Sequence, residues 1–82
     1  EARAIIVYIE SKITPISIKE GKAKEKLQFF AKIHKIEIVF KAIDESANRY
    51  LFNKDDDLYK DSIINFLSKI GGILHNWGKD NA

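Results

Sequence analysis

Isoleucines set the rhythm of the first stretch. Ile5 or Ile6, Ile9 and Ile13 recur at helical spacing, with Glu10 and Lys12 on other faces. That period predicts a helix over about 2–13. It ends near Thr14, because a residue that precedes proline, here Pro15, is pushed out of the α region. Ser17 followed by Glu20 has the S-x-x-E form of a capping box, which opens a second helix over about 18–34. Its apolar stripe is Ala23, Leu27, Phe30, Ala31 and then His34, with lysines opposite. Gly21 falls in its first turn and weakens that end by roughly 1 kcal/mol relative to alanine.

The third segment carries two patterns at once. Lys35 to Phe40 alternates and is rich in β-branched residues, as a short strand would be. The apolar positions continue as Ile36, Val39, Phe40, Ile43, Ala47 and Tyr50, and a helical period held for four turns outweighs the alternation. A helix over about 36–50 is the expectation. Asn53 to Asp57 is polar and acidic and reads as a loop. Asp57 or Asp61 is the candidate cap of a last helix. That helix carries Ile63, Phe66 or Leu67, Ile70, Ile73 or Leu74, and Trp77. Gly71 and Gly72 interrupt it at about 1 kcal/mol each, so close packing or a bend is needed to explain the pair. Gly78 to Ala82 reads as a helix stop and a tail. Together these segments predict an all-α fold, a compact bundle of about four helices in one domain spanning 1–82.

Composition narrows the chemistry. The chain has 82 residues with no Cys, so disulfides, thiolate zinc sites and a catalytic thiol are excluded. It has no Met and opens at Glu1, which suggests a fragment cut from a longer protein. The longest unbroken apolar run, Ile5 to Ile9, is five residues, far short of a membrane span. A cytoplasmic setting with no membrane partner follows as the expectation.

The net charge of +2 is small, but it is unevenly spread. Residues 1–41 hold nine Lys/Arg against five Asp/Glu, and residues 42–82 hold five against seven. The excess gathers at Lys19, Lys22, Lys24, Lys26, Lys32 and Lys35. Such a stripe is either a phosphate track or a solvated helix face.

Catalytic signals are sparse. His34 and His75 fall in different helices, with no H-E-x-x-H pattern. Asp55-Asp56-Asp57 lacks the alternating oxygen ligands and closing Glu of a calcium loop. There is no glycine-rich phosphate loop, and no serine sits in a nucleophile elbow. The chain reads as a non-enzyme without a metal or cofactor. At its end Trp77 either closes the core or stays partly exposed to stack on a base.

The segment Lys69-Ile70-Gly71-Gly72-Ile73-Leu74-His75-Asn76-Trp77 resembles the signature that closes the C-terminal domain of DnaD-like replication proteins. There it reads Tyr-Ile-x-x-Ile-Leu-x-x-Trp, so Lys69 stands where the family has tyrosine. Tyr8 to Ser17 is similar to the family's opening helix and turn, and Ile36 to Ala47 resembles its third helix. The resemblance implies a replication-initiation module of a plasmid, phage or Gram-positive primosome protein, with an upstream DNA-binding domain. Such a module recruits helicase or primase; the alternative it leaves open is DNA remodelling or single-strand binding. Lys19, Lys22, Lys26, Lys69, His75, Asn76 and Trp77 are the candidate contacts. With a weak net charge and the lost tyrosine, DNA binding is expected to be weak or to run through the upstream domain, and a replication protein is the expected main partner.

Overall fold

The structure, a computed structural model, describes residues 2–54, 57–58 and 60–80, with side chains described for 3–52 and 60–77. Four helices carry it: α1 (Ala2–Ile13), α2 (Lys22–Ile33), α3 (Ile36–Tyr50) and α4 (Lys60–Asp80). The all-α expectation holds, and the third segment is a helix throughout. The chain divides into two compact units, Glu1–Lys41 and Ala42–Ala82, with the boundary falling inside α3.

In the first unit α1 buries Ile5, Ile6, Ile9 and Ile13 on one face. Each such side chain contributes roughly 1.5–3 kcal/mol on leaving water. The helix closes as expected before Pro15, where the Ile16 N–H donates to the Ile13 carbonyl at 2.9 Å. α2 packs against α1 and buries Leu27 and Phe30. Its start differs from the capping-box reading. Ser17 does not cap it, and the helix begins four residues later than expected, at Lys22. The reason lies in two competing contacts. The Ile18 N–H donates to Glu10 Oε2 at 2.8 Å, which ties the connection back to α1. Glu20 reaches forward to Lys24 at 2.6 Å instead of back to Ser17. Gly21 is then the N-cap, with φ 153° and no side-chain cap. That backbone region is essentially restricted to glycine. Ala23, expected on the buried stripe, is exposed in the first turn, while Ala31 and His34 are half-buried. His34 ends α2 in an extended conformation, its N–H donating to the Phe30 carbonyl at 3.0 Å.

In the second unit the end of α3 buries Ala42, Ile43 and Ser46, and α4 buries Ser62, Ile63, Phe66, Ile70 and Leu74. The two alternatives left open on α4 thus resolve to Phe66 and Leu74, with Leu67 and Ile73 half-buried. Ser46 Oγ donates to the Phe66 carbonyl at 2.7 Å, a buried bond that joins α3 to α4. Ser62 Oγ likewise donates to the Phe52 carbonyl at 3.1 Å. Between the helices lies a short antiparallel pairing, β1 (Asn53–Lys54) with β2 (Asp57–Leu58), where the sequence suggested only a loop. Asp57 is paired in β2, and its side chain lies outside the described ones, while Asp61 lies in the first turn of α4. Asp55 and Asp56 lie outside the described residues. α4 also continues through Gly78 to Asp80, past the expected stop, and Asn81 and Ala82 lie outside the described residues. Among the described residues no buried side-chain nitrogen or oxygen lacks a hydrogen-bond partner.

Candidate functional site

The burial pattern of α2 leaves a second stripe facing water. Leu27 and Phe30 turn inward, so the adjacent Phe29 and Ile33 turn outward, 51% and 55% exposed. Lys22, Lys26, Phe29 and Ile33 follow the i, i+4, i+7, i+11 spacing of one helix face. All four are exposed. Lys32 and Glu25 are exposed on the same side, and Lys19 is exposed in the connection that precedes the helix. Lys24 is held by Glu20 and is largely covered. Lys22 and Lys26 stand near the N-terminus of α2, where the helix dipole already presents partial positive charge. The cations and the dipole therefore act together on an anion. Phe29 was not visible as a site residue in the sequence. The signal was the Phe29-Phe30 pair itself, since adjacent helical positions point about 100° apart and cannot both be buried on one narrow stripe.

The first unit has a further apolar feature. Arg3, Ala4, Val7, Tyr8, Ser11 and Phe40 line a shallow groove of about 440 Å³. Tyr8 and Phe40 form its aromatic part, with ring centroids 4.6 Å apart. Val7 stands 59% exposed at its rim.

The second group of candidate contacts sits on α4, in the other unit. Lys69, His75 and Asn76 are exposed, and Trp77 is half-buried. Consecutive helical residues fan around the axis, so His75, Asn76 and Trp77 leave the helix in three directions. Trp77 shares the inward stripe with Ile70 and Leu74. Lys69 Nζ lies 6.0 Å from the centre of the Tyr50 ring, at the outer limit of a cation–π contact. Lys69 and Asn76, seven residues apart, share one flank of α4; His75 lies on another flank with Ser68. The structure thus brings Lys22 and Lys26 together with two apolar residues, and it spreads the α4 candidates around their helix.

Among the described residues no three or more His or carboxylate side chains gather where a metal ion could bind. Among them, too, no helix is long and apolar enough to cross a membrane. No protein-family model, curated protein or solved structure matches the chain.

Proposed function

We propose that this domain is a non-catalytic docking module of a cytoplasmic DNA-replication initiation protein, which recruits a helicase or primase through the exposed face of α2. The observation that carries the proposal is the exposure of Phe29 and Ile33 on the same face as Lys22 and Lys26. A solvated helix face has no need of two large apolar side chains, whereas protein interfaces combine apolar anchors with charged surroundings. The replication setting is supported by the likeness of Lys69 to Trp77 to the closing signature of DnaD-like domains.

A second reading, single-strand DNA binding, is favoured by the placement of Phe29 between lysines. An exposed ring beside cations is the arrangement on which bases stack, worth about 1–3 kcal/mol per base. The two readings separate in calorimetry of the chain against helicase, primase and a single-stranded oligonucleotide at physiological salt. Recruitment predicts heat from helicase or primase and little from DNA. Micromolar DNA binding that falls steeply with added salt, with no heat from either protein, would give the second reading its place.

A further inference from the structure

We infer that the exposed face of α2 receives an acidic amphipathic helix of a partner protein, an inference that rests on the docking function proposed above and names the chemistry of the ligand. The face is graded along its length. Its first two turns present Lys22 and Lys26, and its last turn and a half presents Phe29 and Ile33 with Lys32 exposed beside them. The line from Lys22 to Ile33 runs for roughly 17 Å at the helical rise of 1.5 Å per residue, the span of about three turns of a docked helix. Two apolar side chains four residues apart on the ligand would meet Phe29 and Ile33. Carboxylates one and two turns further along would meet Lys22 and Lys26 at the positive end of the α2 dipole.

The same residues argue against the other occupants. A nucleic-acid track would continue the cations along the whole face. Here Lys32 keeps one cation near that end, but the line itself closes on Ile33, whose branched aliphatic side chain has no ring face on which a base could stack. A second copy of the chain laid on this face would set lysines against lysines, or lysines against Ile33, with Glu25 its one carboxylate.

The test is an NMR titration of the isotope-labelled 82-residue chain. The probe is a designed helical peptide with two leucines four residues apart and glutamates on the same face. Its controls are the peptide with each glutamate replaced by lysine, and an oligo-thymidine strand. The expected result is a shift of amide signals centred on Lys22, Lys26, Phe29 and Ile33. Affinity should fall about tenfold in Phe29→Ala and in the double variant Lys22→Glu/Lys26→Glu. All three positions are exposed, so the variants should keep the wild-type spectrum elsewhere. Silence with the acidic peptide, shifts centred on another surface, tighter binding of oligo-thymidine, or concentration-dependent shifts without any ligand would each overturn the inference. Peptide binding with no response to helicase or primase would remove the replication setting and leave the acidic-helix ligand standing. Helicase or primase binding that ignores Phe29→Ala, with the peptide silent, would do the reverse.

Discussion

Gly21 and Gly72 carry opposite expectations for the same substitution. Gly21 holds φ 153° at the start of α2, so an alanine there is strained by its own backbone. Gly21→Ala should lower stability by about 1–3 kcal/mol. Gly72 lies in the interior of α4, and a Cβ added there meets nothing within 4 Å. Close packing within the chain is therefore not the reason for this glycine, and Gly72→Ala should raise stability by about 0.5–1 kcal/mol through helix propensity. Urea midpoints of the two variants should move in opposite directions from wild type, and parallel shifts would contradict the backbone account. On the same helix Ile70 is fully buried and Ile73 only half-buried. Ile70→Ala should cost about 2–5 kcal/mol, and Ile73→Ala clearly less. The sequence left Ile73 and Leu74 open as alternatives for the stripe that carries Ile70, because they are neighbours of similar hydropathy. Which of two adjacent apolar residues faces inward depends on the small rotation of the helix, and packing alone decides that.

The helices themselves were largely legible as elements. α1 and α3 have the expected bounds, since each has a stripe long enough to fix the period and a clear stop or start. The β-branched alternation at Ile36 to Phe40 lost to the longer helical pattern, as local propensity commonly does against a sustained amphipathic face. The start of α2 was not legible. The S-x-x-E pattern at Ser17 and Glu20 is local, while the contact that defeats it comes from Glu10, eight residues before its partner Ile18. This tie can be tested directly. Glu10→Ala removes the acceptor of the Ile18 N–H and should cost about 1 kcal/mol, part of which Glu10→Gln should recover because the amide oxygen still accepts. Equal urea midpoints for wild type and Glu10→Ala would show that the connection is held by something else. The short pairing of Asn53–Lys54 with Asp57–Leu58 was hidden for a different reason: two-residue strands are too short to show alternation.

At the scale of the whole chain, charge follows the structural division. Residues 1–41, which carry the basic excess, coincide with the first compact unit, and the acidic balance belongs to the second. The lysines of the candidate site could be named from the sequence, since a run of cations is visible without a structure. Phe29 and Ile33 could not, because their exposure follows from the side of α2 that Leu27 and Phe30 occupy. Electrostatic attraction to this unit should weaken with salt, while the apolar contacts of Phe29 and Ile33 should not. Partner binding through both is therefore expected to show a shallow salt dependence, against the steep slope of a phosphate track. The measurement that bears most directly on recruitment through α2 is calorimetry with helicase and primase, comparing wild type, Phe29→Ala and Lys22→Glu/Lys26→Glu. The account predicts binding to one of the two proteins that weakens about tenfold in each variant. Binding of equal strength in wild type and both variants, or no binding to either protein, would contradict it.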